Sequence, residues 1–282
     1  MMLGLPPELP PCTPADARRW LHMAACHQQL MLHQQDMLGP DLSMAAAEAV
    51  AAGLDSPWLR RAAGGDEDHW ESFRWALEEL GIALPELDEA RRTVRCRAAV
   101  AMLSGSFPPE LGSELIYWQI HWADRDPDDR TRSGNHLAVL NELSYDWSYP
   151  DTREQAEQGM LHFAADLLRF HHWTLTVVVD DERTLRRVGA IHARTSASAL
   201  ALLDQSRGLR IDELWLDHDL GGDDTVMPVV HRLEKAAFHG EPFDIGTIYV
   251  HTANPVGAAT ILRSKLLNET CRVVRTDLSR FV

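Results

Sequence analysis

Acidic, imidazole and hydroxyl side chains occur in three short strings in the last third of the chain, each at the end of an apolar run. They are Asp180 and Asp181, then Asp217, His218 and Asp219, and finally His251, Thr252 and Asn254. Carboxylates bind hard divalent cations, and imidazoles exchange protons near neutral pH. Brought together by a fold, these side chains can hold a cation or a phosphate and transfer protons.

The apolar runs that precede these strings are typical of buried strands. Strand-like and helical segments alternate from Thr174 onward, and the strand-like ones are LTVVVDDE, GAIHART, DELWLDHDLGG, GTIYVHTANPVG and CRVVRTDL. This alternation predicts an α/β domain with a five-stranded parallel sheet of the flavodoxin or receiver type. Ligands bind such sheets outside the carboxyl ends of neighbouring strands, here the first, third and fourth.

The three strings are therefore expected to converge on one pocket. Six acids or imidazoles in a small pocket are unfavourable unless a cation, a phosphate or a proton is shared among them. Because His218 and His251 follow adjacent strands, their rings are expected to face one another across this pocket.

The part of the chain before the strands has helical periodicity. The strings TPAD at residue 13 and SP at residue 56 each place a capping hydroxyl before a proline at the first helical position. We predict a disordered tail over residues 1–12, a mostly α-helical acidic domain over residues 13–170, and the α/β domain over residues 174–282.

Charge and cysteine usage restrict the partners and the compartment. Of the 27 Lys and Arg and 42 Asp and Glu residues, 14 and 27 precede Thr174. Nonspecific nucleic-acid binding requires clustered cations, so this acidity argues against it and leaves a protein partner for the helical domain. The four cysteines form no CxxC pair, and no apolar run approaches the about 18 residues of a membrane span. We expect a cytoplasmic protein without membrane contact.

The acids and the threonine resemble the active residues of receiver domains in two-component response regulators. In that family an acid pair after the first strand holds Mg²⁺, an aspartate after the third strand accepts a phosphoryl group, and a threonine after the fourth contacts it. The resemblance implies these roles for Asp180 with Asp181, for Asp217 and for Thr252. The family's Lys-Pro after the fifth strand is replaced by Arg275-Thr276.

The strings DDER, LDHDLG and HTANPVGA are more closely similar to the cyclic-phosphate-processing variant of the receiver domain, including its added histidines. This resemblance implies binding or hydrolysis of a cyclic phosphate, in a phosphate-containing small ligand or at an RNA end. The protein would then be a cyclic phosphodiesterase or phosphoesterase.

Ring opening requires a base, an acid and positive charge on the phosphoryl oxygens. The candidate acid and base are His218 and His251. The candidate ligands for Mg²⁺ or Mn²⁺ are Asp180, Asp181, Asp217 and Asp219. The candidate phosphate-binding residues are Thr252, Asn254, Gly257, Arg183 and Arg275.

Two alternatives remain open from the sequence. One is a non-enzymatic, degenerate receiver that binds a partner or is phosphorylated at Asp217. The other is a protein whose acidic helical domain is the working part, as a protein-interaction or toxin-neutralising surface regulated by the receiver-like domain. The missing lysine argues against a phosphorelay, and the added histidines favour the cyclic-phosphate interpretation.

Overall fold

The structure, a computed structural model, describes residues 10–11, 13–33, 41–65, 69–123, 134–185, 187 and 189–276. All of the predicted N-terminal tail except Pro10 and Pro11 lies outside the described residues. The chain divides into two compact units, one of residues 1–98 and 107–160 and the other of residues 99–106 and 161–282.

The part of the chain before the sheet is helical, as predicted. Its helices are α1 (Pro14–His33), α2 (Leu42–Ala51), α3 (Pro57–Ala63), α4 (His69–Glu79), α5 (Leu87–Leu103), α6 (Pro109–Ala123), α7 (Gly134–Trp147) and α8 (Arg153–Phe170). The Ser56 side chain accepts a hydrogen bond from the Leu59 N–H at 3.2 Å and caps α3, in which Pro57 is the first residue. Two of the three boundaries between the units fall within α5 and α8, and the third, at residues 106 and 107, lies between α5 and α6.

A five-stranded parallel sheet follows, which confirms the predicted fold class. Its strands are β1 (Thr174–Val179), β2 (Ala190–Ala193), β3 (Arg210–Leu216), β4 (Ile245–Val250) and β5 (Arg272–Arg275). They lie in the order β2-β1-β3-β4-β5, so β1, β3 and β4 are neighbours as the doubly wound pattern predicts. The connecting helices are α9 (Ser196–Gln205), α10 (Met227–Phe238), α11 (Pro255–Leu262) and α12 (Lys265–Thr270).

The connection from β1 to β2 is a loop in its described residues, and it reaches over the sheet. Leu185 in this loop is buried and packs with Val178 of β1 and Trp215 of β3. Arg187, in the same loop, pairs with Glu213 of β3. This loop therefore begins at the first acid string and lies against β1 and β3, the two strands that the acid strings follow.

No helix in the described ranges combines the length and apolar character needed to cross a membrane.

We call the compact unit that contains the sheet, residues 99–106 and 161–282, the receiver-like unit. We expect His192 on β2 to make the stability of this unit sensitive to acid. Its Nε2 accepts a hydrogen bond from the Leu185 N–H at 3.1 Å. Burial, and secondarily the charge of Arg194, lower the pKa of His192 from 6.5 to about 4. The folded state binds the proton of His192 more weakly than the unfolded state does. The contribution of neutral His192 to the free energy of unfolding is therefore complete above pH 6.5 and is lost as the pH falls towards 4.

Chemical denaturation between about pH 7 and about pH 4 measures this loss, which amounts to roughly 3 kcal/mol for His192. His192→Gln keeps an acceptor but not the titration, and it should flatten the pH dependence. The same change at the exposed His239 is the control. Equal pH dependence in the native protein and in His192→Gln would contradict the assignment.

Candidate functional site

The carboxyl ends of β1, β3 and β4 bring Asp180, Asp217 and His251 together. Each is the first residue after its strand, and the three strands end in register at Val179, Leu216 and Val250. The three side chains are 0%, 2% and 1% exposed, and one ligand atom from each lies within 4.8 Å of the other two. We call these three residues the buried cluster.

Hydrogen bonds keep Asp180 ionised within this cluster. The Nε2 atom of His251 lies 2.9 Å from Asp180 Oδ2. The N–H groups of Glu182 and Arg183 donate to Asp180 Oδ1 at 3.0 and 2.6 Å. Burial acts to raise the pKa of Asp180, but the hydrogen bonds from His251 and Arg183 and the Arg183 charge together hold that pKa below its ordinary value. A buried carboxylate is thereby kept charged beside an imidazole.

The guanidinium of Arg183 provides the positive charge at the buried cluster. Its Nη2 donates to Asp217 Oδ2 at 2.6 Å, and its Nε lies 3.5 Å from Asp180 Oδ2. Arg183 was predicted to bind phosphate, and the structure places it on the two carboxylates.

Arg194, which sequence reasoning did not single out, fixes the loop that carries Arg183. Its guanidinium donates to the carbonyl oxygens of Asp180 at 3.0 Å and Arg183 at 2.6 Å, and to the Thr184 hydroxyl at 2.6 Å. Arg194 directly follows β2. Its position, a basic residue at the end of a predicted strand near the acid strings, is the sequence feature that could have identified it.

An aromatic pair of buried Trp215 and half-buried Tyr249 lies beside the cluster. Trp215 is two residues before Asp217 on β3, so both side chains lie on the same face of the sheet. Its ring stacks on Tyr249 of β4 with centroids 4.3 Å apart and lies 6.1 Å from the ring of His251. These contacts restrict the orientation of His251.

A second polar group forms around His218. Its Nδ1 lies 2.7 Å from Asp219 Oδ1, and the Asn254 side-chain amide donates to Asp219 Oδ2 at 3.1 Å. The hydrogen bond from His218, followed by that from Asn254, holds the pKa of Asp219 below its ordinary value. We call His218, Asp219 and Asn254 the outer group, because the His218 side chain is 16% exposed whereas His251 is fully buried.

The start of α11 orders this outer group. Asn254 caps the helix by accepting hydrogen bonds from the N–H groups of Val256 at 3.1 Å and Gly257 at 2.9 Å. A Cβ atom at Gly257 would lie 2.2 Å from the His218 ring, so the missing side chain creates the space for that imidazole. The Gly257 N–H, predicted to bind phosphate, donates to Asn254 here.

The other predicted residues lie around these two groups. Thr252 is buried, and its hydroxyl accepts a hydrogen bond from the Asn254 N–H at 3.1 Å. Asp181 is half-buried, and its Oδ2 lies 2.9 Å from the position of a Cβ at Gly221. Arg275 is exposed on β5, beside Val250 in the register.

The two histidines occupy different places in the register. Since Leu216 pairs with Val250, the neighbour of His251 on β3 is Asp217, and His218 follows one residue later. His251 accordingly contacts Asp180, whereas His218 contacts Asp219. The two rings therefore have different carboxylate partners.

The buried cluster has the donor set for a divalent cation. Two carboxylates and one imidazole are side chains that can ligate a divalent cation. Within the described ranges this is the one group of three acidic, histidine or cysteine side chains that satisfies the distance. Of the four predicted metal ligands, Asp180 and Asp217 belong to it, whereas Asp181 and Asp219 lie outside it.

Residues 175–266 match the family model of the cyclic-phosphate processing receiver domain. The match includes the buried cluster and the outer group, and it confirms the resemblance found in the sequence for the C-terminal third. No curated protein and no solved structure matches the chain.

Proposed function

We propose that the receiver-like unit binds a cyclic phosphate and opens its ring by hydrolysis. The observation that carries this proposal is the presence of two aspartate–histidine pairs, His251 with Asp180 and His218 with Asp219, after neighbouring strands. Each carboxylate can orient its imidazole and determine which ring nitrogen carries the proton. The family match supplies the substrate class, because both pairs lie within residues 175–266.

The reaction requires one water and two proton transfers. A bond forms between the water oxygen and phosphorus, and one ring P–O bond breaks to give a phosphomonoester and a free hydroxyl. A base accepts a proton from the water, and an acid gives a proton to the leaving oxygen, each contributing about 10²–10⁴-fold.

The difference in burial favours different roles for the two histidines. His218, partly exposed and paired through Nδ1, has its Nε2 left to exchange a proton with the substrate or water. His251, fully buried beside Asp180 and Asp217, serves better as a cation ligand. A divalent cation there would supply positive charge for the phosphoryl oxygens and lower the pKa of a bound water. Thr252 and Arg183 are the candidate donors for the remaining oxygens of the phosphate.

The expected substrates are small phosphate ligands or the ends of RNA chains. A net charge of −15 opposes binding along a nucleic-acid backbone but permits one terminal phosphate to enter a local site.

We also propose that the acidic helical part binds a protein partner.

Mass spectrometry of oligonucleotides ending in a 2′,3′-cyclic phosphate tests the activity directly. With the purified chain and Mn²⁺ or Mg²⁺, we expect each end to gain the mass of one water. His231→Ala, at an exposed histidine of α10, is the matched control for histidine variants. Unchanged substrate would contradict hydrolysis, and phosphate incorporation at Asp217 from acetyl phosphate would support the signalling alternative instead.

Gly257→Ala should separate activity from stability. Alanine is a better helix former than glycine by up to about 1 kcal/mol, so α11 itself should tolerate the change. The new methyl group would occupy the position 2.2 Å from the His218 ring and displace it. A displacement of this kind costs on the order of a hundredfold in rate. Turnover and thermal unfolding are measured together, with Thr260→Ala on the exposed side of α11 as control. Full activity in Gly257→Ala would show that the position of His218 is unimportant.

A further inference from the structure

Arg183 and a divalent cation compete for the same carboxylates. The guanidinium contacts the two acids that would ligate the cation, at 2.6 Å to Asp217 and 3.5 Å to Asp180. Both carboxylates are buried. A guanidinium and a metal ion cannot bind one carboxylate oxygen at the same time in so small a space, because like charges repel strongly where water is excluded.

The charge balance also makes phosphate binding unfavourable when Arg183 is the only cation at the buried cluster. Two carboxylates and one guanidinium leave one negative charge when His251 is neutral, and an incoming phosphodiester adds another. Like charges at short distance in a buried site are unfavourable. A divalent cation reverses this balance, since it neutralises both carboxylates and leaves the guanidinium as surplus positive charge.

The local structure allows the side chain to leave while its backbone stays in place. The Arg183 N–H donates to Asp180, and its carbonyl oxygen accepts from Arg194 at 2.6 Å. The side chain is 27% exposed and is therefore more accessible than the three side chains of the buried cluster. Its Nη1 atom is buried and has no hydrogen-bond partner within the described ranges, so it is a donor suited to an additional acceptor oxygen.

We propose that Arg183 and a divalent cation are alternative occupants of the buried cluster, and that a phosphate oxygen takes up the guanidinium that the cation releases. The inference rests on the proposed function, because it assigns an order to cation and phosphate binding at that site. Cation and phosphate then increase each other's affinity by the same factor, as linkage requires. Arg183 thus couples the two ligands and excludes phosphate from the cluster in the absence of a cation.

Calorimetric titration of the full chain with MnCl₂, with and without dimethyl phosphate, measures this coupling. Dimethyl phosphate is a phosphodiester without a ring to open, so binding is measured without turnover. For the native chain we expect dimethyl phosphate to tighten Mn²⁺ binding by about 5–150-fold, the usual range of such couplings. Arg183→Gln should bind Mn²⁺ at least about tenfold more tightly than the native chain and lose the coupling, since the competitor is gone.

Two further variants control this experiment. Arg187→Gln removes a cation of the same loop, but Arg187 pairs with Glu213 rather than with the buried cluster. Its titrations should therefore match those of the native chain. Arg183→Lys keeps the charge without the planar fork, and its Mn²⁺ affinity should lie between the native and Gln values. This variant keeps the test decisive if Arg183→Gln does not fold.

Three results would overturn the inference. Mn²⁺ affinity in Arg183→Gln equal to or below the native value shows that the guanidinium does not compete. Mn²⁺ binding that is independent of dimethyl phosphate removes the coupling but leaves the proposed hydrolysis intact. Absence of Mn²⁺ binding in the native chain and in both Arg183 variants overturns the inference together with the cation in the proposed function.

Discussion

Replacement of His218 by alanine should lower turnover of a cyclic phosphate by about 10²–10⁴-fold while the fold is retained, as expected for loss of a positioned acid or base. The side chain is partly exposed and contacts Asp219 and Asn254, which are themselves near the surface. Its removal leaves no fully buried charge without a partner, so the cost in stability should be small. Turnover, the pH–rate profile and thermal unfolding are measured on the same preparation.

The pH–rate profile distinguishes a catalytic role from a structural one. Loss of the acid or base removes one limb of a bell-shaped profile, whereas a mere distortion lowers both limbs together. Asp219→Asn should reduce turnover less than His218→Ala does, because it changes only the orientation and basicity of the ring. The control His231→Ala should leave the profile unaltered. Near-native turnover in His218→Ala would exclude this residue as acid or base and favour the non-enzymatic receiver.

The sequence was sufficient to predict the sheet and the meeting of the three strings. The apolar runs ending at Val179, Leu216 and Val250 are typical of strands buried on both faces, and the strand order follows from doubly wound connectivity. Asp180, Asp217 and His251 converge because each directly follows its strand. The strings DDER, LDHDLG and HTANPVGA lie at these strand ends, within the residues 175–266 that match the family model.

Side-chain partners within the site could not be read from the sequence. Whether Arg183 contacts a carboxylate or a phosphate depends on its rotamer and on the hydrogen bond that its carbonyl oxygen accepts from Arg194. His218 and His251 have different carboxylate partners, because His251 directly follows β4 whereas His218 is the second residue after β3. The strand pattern places both at the same edge of the sheet but does not determine the partner of each side chain.

Asp180→Asn is expected to destabilise the receiver-like unit by about 3–5 kcal/mol, the usual cost of removing one partner from a buried charged group. The carboxylate accepts two backbone hydrogen bonds, contacts His251 and lies beside the Arg183 guanidinium. An amide can replace some of these hydrogen bonds but none of the charge. The variant should also bind Mn²⁺ much more weakly, because it lacks one of the three cluster donors.

Asp181→Asn is the matched control, since it makes the same change one residue later. Asp181 is half-buried and outside the buried cluster, so its effect on the free energy of unfolding should stay within about 0.5 kcal/mol. The pH dependence provides a second test. The pKa of Asp180 lies below its ordinary value, so its contribution is complete above that ordinary value of 3.8 and is lost as the pH falls through the folded-state pKa. The difference in stability between native and Asp180→Asn should therefore persist at neutral pH and shrink only below about pH 4. Equal destabilisation by the two aspartate variants would show that burial and the Arg183 and His251 contacts do not distinguish Asp180 from its neighbour, and the buried cluster would lose its central member.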